Sequence, residues 1–304
     1  MPRPLKIGIQ LPEVEYEYTW PQLLEMARIA EDIGLDSIWV GDHLMYPATA
    51  TKPARGPYEV WTTMAALAAA TERVQIGPLV ASLGFHSPPM IAKKAATIDQ
   101  ISNGRFIFGI GSGWNEAEYR GYGFPFDRRV SRFEEAFTII RELFATGSCD
   151  FHGEFYDIEG AMLFPNPVQA GGPPLMIGSK GSRMLAITLP HVQMWNAWHH
   201  DYGNTREGLA ELLADIDRAC EAVDRDPATL IRTICPLVQL TGGQGRPSGS
   251  GEVVPPIDGT DAHVLAAELT AYAEMGVGHV QLVLDPITPG SIAELEPTLR
   301  LLDS

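Results

Sequence analysis

The chain has 304 residues, 45% of them hydrophobic and 20% charged, with a formal net charge of −16. The composition is that of a globular protein, and the excess of acid excludes a nucleic-acid surface, which needs Lys and Arg against phosphate. No apolar run approaches the length of a membrane span, the N-terminal MPRPLKIGIQLP lacks the layout of a signal peptide, and three widely spaced cysteines without a CxxC pair fit buried thiols in a reducing cytoplasm rather than a zinc ribbon or redox dithiol.

Strand and helix signals alternate along the chain. LKIGIQL (5–11) reads as a first strand. Thr19 and Gln22 have capping-box spacing at the start of a helix whose apolar stripe is Leu23, Met26, Ala27 and Ala30, and Gly34 suits its left-handed C′ position. DSIWVGD is a second strand, 58–71 a helix, and VQIGPLVA (74–81) a third strand in which Pro78 forfeits a ladder bond and predicts a bulge. Ser87 caps a helix over 87–102 with Pro88 at its first position. RFIFGIG (105–111) is the fourth strand, and a helix over 131–147 is predicted to start at Ser131, with Glu134 completing a capping box. Fifth and sixth strands fall at 173–179 and 191–198. A helix over about 204–223, a seventh strand at 229–240, a helix at 262–276, an eighth strand at 278–285 and a short final helix complete the chain.

Eight strand–helix units imply parallel strands with right-handed crossovers. In a chain of this length they predict a single-domain (β/α)8 TIM barrel, with insertions at 149–172, before the fifth strand, and at 241–260, a Gly/Pro/Ser-rich loop expected to be mobile after the seventh. An open doubly wound sheet is the alternative. The strand count and the lack of GxGxxG after the first strand speak against it.

In a barrel, catalytic groups sit at the C-terminal ends of strands. The second strand ends in Asp42 and His43, an imidazole that can exchange a proton near neutrality beside a carboxylate able to fix its tautomer. A capping Asp and a His satisfied by backbone would look the same. After the fourth strand, in GIGSGWNEAEY, Gly109, Gly111 and Gly113 leave backbone amides uncovered for a flat ring or phosphate, or form only a tight turn. After the fifth, Gly178, Ser179, Lys180 and Gly181 precede a helix start, an anion site or a solvated cap. After the sixth come Trp195, Asn196 and Trp198, suited to walling a planar ligand or to a core. His199, His200 and Asp201 lack the spacing of a metal site, and no GxSxG marks a nucleophile elbow.

Together, the stretches 11–44, 74–143, 173–187 and 192–198 resemble the luciferase-like monooxygenase superfamily, and within it the branch that uses the deazaflavin coenzyme F420. The likeness covers almost the whole chain; it is most specific from Val74 to Leu143 and least after residue 240. It implies a (β/α)8 barrel holding a deazaflavin, or alternatively FMN, at the C-terminal ends of its strands. Asp42 and His43 match the family's strand-two pair, so His43 would assist the proton transfer that accompanies hydride transfer. Leu79 and Val80 match a bulge, often with a non-proline cis peptide, that presses on one ring face. Gly111 to Trp114 would line the cofactor side chain, Gly178 to Gly181 would receive its phosphate with Lys180 pointing inward, and Trp195 would lie in the pocket wall. Sugar-phosphate dehydrogenases of the branch carry a proton-donating glutamate where Trp114 stands here, with Glu116 two residues on; that departure argues against a sugar phosphate. The resemblance further implies a small-molecule substrate and a homodimer, as is common in the family. An FMN-dependent monooxygenase would need a flavin reductase partner. A non-catalytic flavin-binding protein would tolerate His43→Ala.

Overall fold

The computed structural model describes residues 3–49, 53–246 and 253–304. In chain order its elements are β1 (Lys6–Gln10), α1 (Trp20–Asp32), β2 (Ser37–Val40), α2 (Val60–Ala70), β3 (Gln75–Pro78), β4 (Ala81–Ser82), α3 (Pro88–Ser102), β5 (Phe108–Gly111), α4 (Glu116–Tyr122), α5 (Arg129–Thr146), β6 (Ser148–His152), β7 (Asp157–Met162), β8 (Leu175–Ile177) and α6 (Ser182–Thr188). Then follow β9 (Met194–Trp198), α7 (Arg206–Glu221), β10 (Ile231–Cys235), β11 (Leu237–Gln239), β12 (Ile257–Asp258), α8 (Ala262–Glu274), β13 (Val277–Asp285), α9 (Pro289–Ala293) and α10 (Glu296–Leu302). These elements gather into two compact units: residues 1–39, 73–75 and 178–304, and residues 40–72 and 76–177.

In the first unit β2, β1, β13, β10 and β9 lie side by side, every pair parallel. α1 shows how local signals set the crossovers. Gln22 Oε1 accepts the Thr19 amide at 2.8 Å. At the other end Gly34 has φ +95, its amide bonds Glu31 O at 3.2 Å and the Leu35 amide bonds Ala30 O at 3.0 Å. That is a Schellman closure, which a β-carbon would strain. Between α1's ends Leu23, Met26, Ala27 and Ala30 are buried. Among the apolar strand residues of this unit lies a polar network: Asn196 Nδ2 donates to Thr233 Oγ1 and to Gln281 Oε1, both at 2.8 Å, and the Cys235 thiol donates to Asn196 Oδ1 at 3.4 Å. Asn204 ties the segments around residues 237 and 255, donating to Leu237 O and Pro255 O and accepting the Leu237 amide.

In the second unit β4, β5 and β8 are parallel neighbours, and an isolated bridge joins Ile76 to Phe106. The rings of Trp61, Phe106, Phe108 and Phe144 meet at centroid distances of 5.6–6.3 Å, a buried cluster formed with residues of α2 and α5. Arg105 satisfies carbonyls that the ends of α2 and α3 leave open, donating to Ala68 O, Thr71 O and Ser102 O at 2.8 Å each. Asp99, fully buried on α3, accepts the amide and the side-chain amide of Gln169 and thereby anchors the end of the 149–172 insertion.

Four expectations are revised. The third predicted strand is two, β3 and β4, parted at Leu79–Val80, whose peptide is cis. The seventh is also two, because Pro236 interrupts the ladder between β10 and β11. α5 begins at Arg129 after Arg128 at φ 51, so Ser131 lies inside the helix and not at its N-cap. The 149–172 insertion contains an antiparallel hairpin, β6 and β7, and Glu135 holds its turn by accepting the amides of Glu154, Phe155 and Tyr156. Of the 241–260 loop, residues 247–252 lie outside the described residues. All three cysteines are buried and unpaired with one another, as expected. Among the described residues no helix is long and apolar enough to cross a membrane.

Candidate active site

The second strand delivers Asp42 and His43, as expected, but the two do not act on each other. Successive residues of an extended chain point to opposite sides. Asp42, 6% exposed, turns to the tip of β4 and accepts the Ser82 amide at 2.8 Å. His43 turns the other way, and the carboxylate it meets is Glu118, with Nδ1 at 3.0 Å from Oε2 and 3.2 Å from Oε1. Oε1 of Glu118 also accepts the amides of Leu44 at 2.6 Å and Met45 at 3.2 Å. The carboxylate thus gathers three consecutive residues after β2.

Glu118 rides on α4, a helix absent from the elements predicted above. Its signals are nonetheless in the sequence: Asn115 at the N-cap position and Gly123, at φ +76, closing the helix. Glu118 and Tyr122 share a face at i, i+4, and the Tyr122 hydroxyl donates to Leu44 O at 3.4 Å. Tyr119, on the next face, is fully buried. Its hydroxyl donates to Ser112 O at 2.7 Å and lies 2.8 Å from Ser82 Oγ. One short helix therefore fixes the segments that follow β2 and β5 and the tip of β4 at once. Glu116, the acid nearest Trp114 in the sequence, is exposed and pairs with Arg120.

The glycine turn is backed by Tyr119. A β-carbon on Gly113 would stand 2.3 Å from the Tyr119 hydroxyl and 2.4 Å from Ser82 Oγ, and Gly113 has φ +70. Arg129 donates to Gly113 O at 2.6 Å. Trp114 is 66% exposed and meets the His43 ring edge-on at 5.6 Å, while the Tyr46 ring lies 4.9 Å from it. Two aromatic rings and one buried anion thus stand against His43.

In the other unit Gly178 to Gly181 form an accessible loop before α6. Lys180 is exposed, and its ammonium lies 2.7 Å from Asp201 Oδ1 instead of pointing inward. Trp195 is fully buried and donates its indole N–H to Ser179 O at 2.8 Å. It shapes this loop from behind and exposes no face as a wall. Asp201 also accepts the Trp198 amide. His199 is buried against Trp198 and His200, and burial, with the nearby His200 and Arg246, pushes its pKa down to about 3. Its Nδ1–H donates to Cys235 O at 3.2 Å, so it is a neutral structural group.

A profile described as luciferase-like monooxygenase matches residues 6–241. This chain belongs to the luciferase-like monooxygenase family. Among relatives, it is 30% identical over 296 residues to an F420-dependent glucose-6-phosphate dehydrogenase of Amycolatopsis mediterranei (strain U-32), covering 85% of this chain and 86% of that one. It is 30% identical over 216 residues to an FMNH(2)-dependent dimethylsulfone monooxygenase of Pseudomonas putida, covering 69% of this chain and 56% of that protein. An F420-dependent secondary alcohol dehydrogenase in complex with an F420-acetone adduct superposes with a TM-score of 0.78 over 98% of this chain and 99% of its own, at 18% identity. That likeness shows the fold class expected from the strand count, the (β/α)8 barrel. Relatives of this chain include an F420-dependent and an FMNH(2)-dependent enzyme, and the family to which the chain belongs is one of oxidoreductases and monooxygenases.

Proposed function

We propose that this luciferase-like protein is a deazaflavin (coenzyme F420)-dependent oxidoreductase that moves hydride to or from a small organic substrate. The observation that carries the reading is the pairing of part-buried His43 with buried Glu118, a proton-exchanging group held beside the glycine turn, in a chain whose F420-dependent relative aligns over most of both sequences. The donor chemistry fits the cofactor. The loop at 178–181 offers an exposed ammonium, a hydroxyl and a glycine, Gly181, whose added β-carbon would meet nothing nearer than Ser179 Oγ at 3.8 Å. An anionic phosphate needs such a local cation in a chain of net charge −16.

When bound, the deazaflavin supplies hydride chemistry. The chain's own residues do the rest. Gly178, Ser179, Lys180 and Gly181 would hold the phosphate, Lys180 exchanging Asp201 for it. The turn Gly111–Trp114 would line the cofactor, and Leu79 and Val80 would bear on its ring. His43 moves the proton that balances the hydride. Trp114 and Tyr46 set aromatic surface against the His43 ring, which favours an apolar substrate over one carrying phosphate.

The test is a binding titration of the full chain with F420 and with FMN. Tight quenching of deazaflavin fluorescence with weak FMN binding is expected; the reverse pattern refutes the reading in favour of the FMN-dependent alternative that the Pseudomonas relative supports. Lys180→Ala should weaken F420 binding about tenfold, ~1.4 kcal/mol, a modest figure because Lys180 is exposed and must leave Asp201.

A further inference from the structure

Glu118 is 1% exposed, and a carboxylate buried to that degree must be paired. Its partners come from one segment: His43 Nδ1 and the amides of Leu44 and Met45. Burial pushes its pKa up, but the hydrogen bond and charge of His43 and the two amides outweigh that and hold the carboxyl below its ordinary value. An ionised carboxylate can only accept, so the nitrogen facing it carries hydrogen. In the neutral ring that leaves the lone pair on Nε2.

We propose that Glu118 is the positioning residue of His43: it fixes the Nδ1–H tautomer, raises the proton affinity of the ring, and so routes proton exchange through Nε2. The routing rests on the role given to His43 above; the tautomer does not. Among the described residues, the neighbouring titratable and charged groups make contacts of their own. Asp42 faces the Ser82 amide. The Tyr46 ring lies tilted against His43, with Arg55 5.7 Å from its own ring centre. The Tyr122 hydroxyl points to Leu44 O, and Arg129 to Gly113 O. Glu118 stands in the arrangement by which a carboxylate steadies an imidazole and stabilises its protonated form in other proton-transfer sites.

The experiment uses the full chain without cofactor, labelled with ¹⁵N-histidine, with the His43 signals assigned by His43→Gln. The imidazole ¹⁵N shifts report both tautomer and pKa. The wild type is expected to show Nδ1–H in the neutral ring. In Glu118→Gln the carboxamide oxygen can still accept the Leu44 and Met45 amides while its NH₂ faces Nδ1. The tautomer should then invert to Nε2–H and the His43 pKa fall by about one unit or more, the ordinary effect of removing an adjacent opposite charge. A wild-type ring with hydrogen on Nε2, or a pKa unmoved by the substitution, overturns the proposal. If Glu118→Gln does not fold, the wild-type spectrum alone decides. Because no cofactor is present, failure of F420 to bind and failure of this inference are separate results.

Discussion

Gly113→Ala tests whether Tyr119 is a rigid backstop for the glycine turn. Two costs add. A β-carbon at φ +70 is in the left-handed region, worth ~1–2 kcal/mol. The same carbon would stand 2.3 Å from the Tyr119 hydroxyl and 2.4 Å from Ser82 Oγ. Tyr119 cannot swing aside cheaply, being fully buried with its hydroxyl bonded to Ser112 O, so overpacking adds ~1–3 kcal/mol. Gly123→Ala is the control: φ is +76, but nothing lies within 4 Å of its β-carbon. It carries the backbone cost alone, and the gain from a stiffer unfolded chain is common to both variants. Urea unfolding of the two should therefore differ by ~1–3 kcal/mol, with Gly113→Ala the less stable. Equal stabilities within ~0.5 kcal/mol, about the error of such comparisons, would refute the idea that Tyr119 is fixed.

Two further outcomes concern stability. Burial pushes His279, whose Nε2 lies 2.7 Å from Ser37 Oγ, down to about 3. The unfolded histidine takes up a proton near its ordinary value while the folded one does not, so stability is full above about pH 6.5 and falls as pH drops toward 3, at up to ~1.4 kcal/mol per pH unit. Denaturant midpoints between pH 6.5 and 4 should show a shallower slope in His279→Asn, and an unchanged slope refutes this. Asn204→Ala removes two donors and an acceptor and strands the buried Leu237 amide. It should cost ~2–4 kcal/mol by urea melt, and a loss under ~0.5 kcal/mol, the usual scale of an inconsequential surface change, would show that the strand-seven region holds without it.

Much of the fold is legible in the sequence because its signals are local. Gly34 is a helix stop whatever surrounds it, and Pro78 announces an interrupted strand. Ser131 misleads for a physical reason: a capping-box spacing inside a helix looks the same as one at its start, and only Arg128 in the left-handed region marks where α5 begins. The hairpin β6–β7 escapes notice although Gly153, whose amide bonds Tyr156 O, sits between its two halves. At the site, strand ends follow from position alone. The partner of His43 does not, because a carboxylate 75 residues away along the chain carries no sequence mark of where it will point. Lys180 and Trp195 fall on the expected loop and strand, yet their side chains serve Asp201 and Ser179 O.

The Asn196–Thr233–Gln281 network has a consequence for how this sequence can drift. Three adjacent strands each contribute one member, and Asn196 spends its amide hydrogens on the other two. Replacing one of them by an apolar residue takes a buried hydrogen bond from a neighbour, ~1 kcal/mol apiece, whereas exchanging the set for apolar residues of matching volume removes donors and acceptors together. The route between these two solutions passes through a weakened intermediate, so descendants of this chain should keep all three or exchange them as a set.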